Sequence, residues 1–303
     1  MNTLIVGTGA LATLFAARLS EAGHSVSMLG TWQNGLSALR KEGARLVDAN
    51  GVERAYPVHA TDDPREVGDA KVALVLVKAW QTERAAHQLA DCLAQDGLAV
   101  TLQNGLGNRE TLIRDLGPAR VALGVTTAGA TLLGPGWVRS AGEGNLSLER
   151  NQALAPLEAA LKSAKFNVQI VADAQSLVWG KLVINAAINP LTALLRIPNG
   201  ELLQRPAARG LMSRLARETA AVAEAESVHL PFEDPVAAAE EVARKTAGNR
   251  SSMLQDILRG APTEIDAICG AVTRLGQQHS LPTPINQACW QLVRALAVGG
   301  SLT

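Results

Sequence analysis

The sequence is short of the residues on which secreted, metal-holding and membrane-spanning proteins depend. Three cysteines occur in 303 residues, Cys92, Cys269 and Cys289. Their number is odd, their spacing is long and no pair forms Cys-x-x-Cys, which argues against a disulfide framework or a cysteine zinc site. The five histidines are scattered, with no His-x-His or His-Glu-x-x-His spacing, so no metal is expected. No run of 18 or more apolar residues occurs, and no charged segment precedes the first apolar run at residue 3. The expectation is a chain with no membrane span and no signal peptide, working in the reducing cytoplasm. Net charge is absent too, because 28 Lys and Arg offset 28 Asp and Glu. That argues against a general attraction to nucleic acid or an anionic membrane.

Apolar residues, in contrast, make up 47% of the chain, enough for a sizeable core. At about 100–200 residues per domain the length suggests two domains. Residues 3–6, 26–29, 71–77, 97–102 and 120–125 read as short buried strands. Helical stretches such as 81–94 and 109–116 separate them. This alternation predicts a parallel, doubly wound sheet. A glycine-rich stretch with two-residue alternation, 134–148, suggests antiparallel strands closing one edge, and a helix over 154–164 and a strand over 167–171 follow. Beyond about residue 173 helical periodicity takes over. Helices are predicted over 176–195, 206–227, 235–246, 251–258, 262–278 and 284–298, several with proline near the first turn. The residues after 299 are expected to fray.

Gly7-x-Gly9-x-x-Ala12 sits between the first strand and the first helix. Gly7 suits a tight turn, Gly9 a backbone that meets a pyrophosphate, and Ala12 close packing of helix on strand. The helix start offers N–H groups and partial positive charge to phosphates, making Gly7, Thr8, Gly9, Ala10, Leu11 and Ala12 the candidate dinucleotide loop. A carboxylate near the end of the second strand would hold the ribose of NAD. None occurs between Glu21 and Glu42, which favours NADP, although the usual arginine is also missing. Thr31, Gln33 and Asn34 offer neutral donors. Lys78, just past the third strand, is either a solvated strand end or a phosphate partner. Asn104, in Gln103-Asn-Gly-Leu-Gly, is either a turn residue or a contact to nicotinamide and substrate.

Lys181, Asn185 and Asn189 recur every four residues in an apolar helix and share one stripe. That stripe is a solvated face or a buried polar site, and two helix-averse asparagines favour the site. Pro190 is expected to break or kink the helix near Asn189. A lysine in a partly desolvated cleft can donate a proton to a developing alkoxide, as reduction of a ketone requires. Glu264, read as lying in the first turn of a helix opened by Pro262, is by itself an ordinary partner of the helix dipole.

Together these pieces resemble the ketopantoate reductase (2-dehydropantoate 2-reductase) family over nearly the whole chain. The segments that carry the resemblance are the Gly7 loop, Lys78-Ala-Trp-Gln, Asn104-Gly-Leu-Gly, Trp179-Gly-Lys-Leu…Asn185…Ile188-Asn-Pro-Leu-Thr-Ala, Pro198-Asn-Gly-Glu-Leu, and Ser251-Ser-Met-Leu-Gln-Asp followed by Thr263-Glu-Ile-Asp. The resemblance implies an α/β fold with an N-terminal Rossmann-type doubly wound sheet (1–172) followed by an all-helical C-terminal domain (173–303), the active site lying in the cleft between them. It implies NADPH-dependent reduction of 2-dehydropantoate to (R)-pantoate in pantothenate biosynthesis, with hydride from nicotinamide C4 and Lys181 as the proton donor. Glu264 matches a second catalytic residue, a carboxylate beside the cofactor. Asn104, Lys181, Asn185, Asn189, Asn199, Asn249 and Ser252 match substrate contacts, and Ala130 lies near the nicotinamide by its backbone. Thr31 stands where NADP-specific members carry arginine, so NAD use is open. Arg250, just before the serine pair, is a surface charge or a carboxylate clamp. Rival readings are a paralogous reductase of another branched 2-keto acid and a non-catalytic NADP(H)-sensing regulator. The expected partner is a small-molecule 2-keto acid, with a homodimer possible by analogy.

Overall fold

Runs such as TLIV and VALVLV are apolar at consecutive positions, and a strand of that kind needs a covering layer on each face. The structure, a computed structural model describing residues 2–48, 50–142 and 144–298, supplies those layers. Two units make up the chain: Met1–Gln103 with Asn108–Ala174, and Asn104–Gly107 with Gln175–Thr303. The expected fraying after residue 299 lies outside the described residues.

In chain order the first unit contains β1 (Asn2–Val6), α1 (Ala10–Glu21), β2 (Ser25–Leu29), α2 (Gln33–Glu42), β3 (Ala44–Val47), β4 (Glu53–Tyr56), β5 (His59–Thr61) and β6 (Ala70–Val75). There follow α3 (Thr82–Cys92), β7 (Leu93–Thr101), α4 (Asn108–Leu116), β8 (Val121–Thr126), β9 (Ala130–Gly134), β10 (Trp137–Ser140), β11 (Asn145–Glu149), α5 (Ala155–Ser163) and β12 (Asn167–Val171). The main sheet has the order β12-β11-β8-β7-β6-β1-β2-β5. Pairing from β8 through β5 is parallel throughout. Strand alternation divides the core: Ile5 packs with Leu14 and Phe15 of α1 and with Leu157 and Leu161 of α5, whereas Leu4 and Val6 pack with Ala85, Ala86 and Leu89 of α3 and with Leu112 and Leu116 of α4. Helices therefore cover both faces, as the doubly wound reading predicts. The chain leaves β1 for β2 on one side and returns to β6 on the other, so the sheet's switch point lies between β1 and β6.

The stretch 134–148 corrects the expectation of one antiparallel edge. Pro135-Gly136 turns β9 into β10, with Gly136 at φ +63°, and this hairpin joins β3 and β4 in a separate sheet of order β4-β3-β10-β9. Only β11 joins the main sheet, antiparallel to β8, and β12 takes the edge, parallel to β11. Two-residue alternation marks a strand but not its partner.

The second unit contains α6 (Ala174–Leu195), α7 (Glu201–Gln204), α8 (Pro206–Ala225), α9 (Pro235–Lys245), α10 (Ser252–Leu258), α11 (Cys269–Gln278) and α12 (Pro284–Val298). No strand occurs among its described residues. α6 is long and apolar enough to cross a membrane by length and composition, but 67% of that window is buried inside the protein. Trp179, Leu182, Val183, Ala186, Ala187 and Leu191 form the centre of the helical core, which makes α6 its central helix. The expected break at Pro190 and the expected 262–278 helix both fail here. Pro190 does not end the helix, which runs on to Leu195 although Pro190 has no N–H for the Ala186 carbonyl. Packing of α6 on both sides of Pro190 outweighs the lost bond. Residues 262–268 do not belong to a 262–278 helix: the helix begins at Cys269, after an irregular turn in which the Ala267 and Ile268 N–H groups both donate to the Glu264 carbonyl and the Gly270 N–H to the Ile265 carbonyl.

Candidate functional site

The candidate dinucleotide loop is built by steric demand. Gly7 adopts φ +133°, and a Cβ there would lie 3.1 Å from the Leu76 carbonyl carbon and oxygen, where the loops after β1 and β6 meet. Its N–H donates to the Leu29 carbonyl at 2.7 Å, which ties the end of β1 to β2. Thr8 fills the space beside Gly30, where a Cβ would stand 2.8 Å from Thr8 Cγ2. Ala12 is fully buried against the sheet. Gly9 differs from all of these. Its φ of −83° suits any residue, and a Cβ there would meet nothing within 4 Å. Neither backbone strain nor packing explains a glycine at this N-cap. No side chain caps α1 and no acid lies in its first turn, so the exposed helix start beside Gly9, with Ala10 and Leu11 partly exposed, suits an anionic ligand. A pyrophosphate needs such an open, positive backbone cradle, and the residues present fit a nicotinamide dinucleotide.

Thr31 is partly exposed after β2. Gln33, expected as a neutral donor in place of the missing arginine, donates Nε2 to Asp62 Oδ2 at 2.8 Å. Asp62 directly follows β5, far in sequence from the residues after β2 where a ribose carboxylate is sought. Lys78 is partly exposed at the carboxyl end of β6, and its backbone N–H donates to Gln81 Oε1 at 3.2 Å. Gln103 braces this loop, its amide donating to the Val77 carbonyl at 3.1 Å and to Thr82 Oγ1 at 2.8 Å. Ala130 opens β9 and pairs with Ser140.

In the second unit Asn104 and Glu264 come together, Asn104 Nδ2 donating to Glu264 Oε2 at 3.1 Å. The Leu106 N–H donates to the Ala267 carbonyl at 2.9 Å, and a Cβ on Gly105 (φ +80°) would strike that carbonyl oxygen at 2.5 Å. Gly105 is therefore required for the 104–107 loop to lie against 264–267. Lys181 joins the pair electrostatically. Burial strips water from its ammonium and lowers its pKa to about 8, while the nearby Glu264 carboxylate opposes that shift. Glu264 itself is 6% exposed. A lysine so placed remains mostly protonated at neutral pH yet gives up its proton more readily than an exposed one.

Asn185 is partly exposed one turn beyond Lys181, and Asn189 is buried a turn further on. The stripe continues to the fully buried Thr192, which sequence inspection missed although its three-residue spacing from Asn189 was legible. Its Oγ1 lies 2.7 Å from Ser251 Oγ, and Ser251 in turn caps α10 by accepting from the Leu254 N–H at 3.1 Å. The buried member of the serine pair thus joins α6 to α10, and Ser252 is exposed on the first turn. Asn199 and Asn249 also meet, through the Asn199 N–H and the Asn249 carbonyl at 3.0 Å. Asn199 is buried with Nδ2 donating to Thr246 Oγ1, and Asn249 and Arg250 are exposed. No cluster of three or more His, Cys, Asp or Glu suited to a metal ion occurs among the described residues.

Comparison with known proteins identifies the family. The family profile "Ketopantoate reductase PanE/ApbA" matches residues 3–152, and "Ketopantoate reductase PanE/ApbA C terminal" matches residues 173–297. The 2-dehydropantoate 2-reductase of Halobacterium salinarum is 36% identical over 301 residues, covering 97% of this chain and 98% of that one. A PanE/ApbA family ketopantoate reductase from Ralstonia eutropha JMP134 superposes with a TM-score of 0.92 at 32% identity, covering both chains in full. D-mandelate dehydrogenase, solved with NADH and anilino(oxo)acetate, superposes with a TM-score of 0.91 at 25% identity, again covering both chains in full. With a dinucleotide loop in one unit and a desolvated lysine beside a carboxylate in the other, the chain belongs to the ketopantoate reductase PanE/ApbA family of oxidoreductases.

Proposed function

We propose that this protein reduces 2-dehydropantoate to (R)-pantoate with NADPH, and that Lys181 is the proton donor. The observation that carries the reading is the Lys181–Glu264–Asn104 group. It joins a desolvated ammonium of pKa about 8 to a buried carboxylate that is itself oriented by an amide. When bound along the Gly7 loop, the reduced dinucleotide supplies the hydride. Lys181 Nζ gives a proton to the ketone oxygen as negative charge gathers there and is left as the neutral amine. Glu264 keeps that amine protonated between turnovers and, in this reading, also borders the cofactor. Asn104, Asn185, Asn189 and the exposed Asn249 and Ser252 orient the keto acid, and the buried Asn199 shapes the turn against Asn249. Thr31, Lys78 and the backbone of Ala130 complete the proposed cofactor contacts. Three buried free thiols suit a reducing cytoplasm as the setting.

A second reading keeps the chemistry and changes the partners: NADH with another branched or aromatic 2-keto acid. It draws on Thr31 in place of arginine and on the likeness to the mandelate enzyme. Absorbance at 340 nm separates the two when 2-dehydropantoate and benzoylformate are each offered with NADPH and with NADH. The first reading expects rapid loss of NADPH with 2-dehydropantoate. Silence with 2-dehydropantoate and turnover with benzoylformate would establish the second.

A further inference from the structure

We propose that Asp62 tunes coenzyme preference by holding Arg40 and Gln33 away from the ribose 2′ position and so disfavouring a 2′-phosphate. This rests only on the reading that a nicotinamide dinucleotide binds along the Gly7 loop, and of the two coenzymes weighed above it favours NADH. In a doubly wound sheet the adenosine ribose lies at the carboxyl end of the second strand. Here that end reads Gly30-Thr31-Trp32, with neither an acid to grip a ribose diol nor an arginine to grip a phosphate. The structure supplies both charges from elsewhere. β5 runs parallel to β2 with Leu29 opposite Thr61, and the Gly30 N–H donates to the Thr61 carbonyl at 3.0 Å, so Asp62 follows directly beside the Gly30–Thr31 turn.

Gln33 and Arg40, seven residues apart, share a face of α2, and both reach the Asp62 carboxylate. Gln33 Nε2 donates to Oδ2 at 2.8 Å and Arg40 Nη2 to Oδ1 at 3.1 Å, while Arg40 Nε donates to the Ala60 carbonyl at 2.7 Å. The Gln33 bond, then Asp62's own backbone and Arg40, hold the carboxyl below the ordinary carboxylate range, so it is ionised at neutral pH.

Two consequences follow for a bound dinucleotide. The donors suited to a 2′-phosphate are committed to Asp62, whose charge repels that phosphate. A ribose diol meets no such repulsion and finds a carboxylate that accepts its hydroxyl hydrogen. The Arg40–Asp62 pair is nearly half exposed on each side, and exposed pairs bind weakly, so neutralising Asp62 frees Arg40 to turn to a phosphate.

The test measures dissociation constants of NADPH and NADH on the full chain by quenching of tryptophan fluorescence at fixed ionic strength, with no keto acid present. Asp62→Asn is expected to improve the NADPH-to-NADH affinity ratio about five- to tenfold, mainly through tighter NADPH binding. Adding Arg40→Gln is expected to cancel that gain. A ratio within twofold of the parent protein, or a gain undiminished by Arg40→Gln, overturns the proposal. If the parent binds neither dinucleotide, the underlying coenzyme reading fails first, before any variant is made. Failure to reduce a keto acid leaves the affinity ratio, and so this test, intact.

Discussion

Asn104 and Glu264 are 160 residues apart in sequence, yet the amide of one donates to the carboxylate of the other at 3.1 Å. Asn104 follows the last residue of a Rossmann-type strand and its connection, but its loop packs with the helical unit. The bond fixes one oxygen of the carboxylate that shares its field with Lys181, and the predictions below start from that group.

Replacing Lys181 with methionine keeps the side chain's length and removes its proton. Turnover is expected to fall about 10²–10³-fold, the usual effect of deleting a donor aimed at a developing oxyanion. Dinucleotide affinity, read by fluorescence quenching, is expected to change little. Equal losses of turnover and coenzyme affinity would remove the lysine from the proton-donor role.

The pH profile has a definite sign. Reduction needs the charged lysine, so kcat/KM for reduction should fall as pH rises through about 8. Glu264 favours the ammonium, so Glu264→Gln should move that fall to lower pH while leaving an acceptor for Asn104. A limb that stays in place, or moves up, contradicts the coupling.

Two glycines of one loop should fail in different ways. Gly7→Ala puts a Cβ 3.1 Å from Leu76 backbone at a positive φ, and is expected to destabilise the first unit by about 1–3 kcal/mol. Gly9→Ala meets nothing in the protein and should cost less, about 0.5–1 kcal/mol for exchanging an N-cap glycine for alanine. It should nevertheless weaken dinucleotide binding, because the methyl enters the space left for the pyrophosphate. Urea melts and affinity titrations on both variants read the contrast; a Gly9→Ala protein that binds dinucleotide like its parent would falsify the cradle.

Ser251 caps α10 and meets Thr192 of α6. Ser251→Ala is expected to cost about 0.5–2 kcal/mol, visible as a lower denaturation midpoint. Ser252→Ala, on an exposed position, should leave that midpoint unchanged and report on substrate KM alone.

Much of this was decided by the amino-acid order alone, because it depends on local spacing. Consecutive apolar runs specified buried parallel strands. Gly7-x-Gly9-x-x-Ala12 specified the strand–loop–helix that can hold a dinucleotide. The four-residue recurrence of Lys181, Asn185 and Asn189 specified a shared stripe whether or not Pro190 intervened. Tertiary structure decided what depends on which distant segments meet. It sent β9 and β10 into a second sheet with β3 and β4, carried helix α6 through Pro190 by packing it on both sides, and delayed the start of the expected 262–278 helix to Cys269, so that Glu264 sits on a turn facing Asn104. It also brought Asp62 beside the Gly30–Thr31 turn through the pairing of β5 with β2. Strand partners and buried charge pairs are chosen by contacts across tens to hundreds of residues, and no local pattern encodes them.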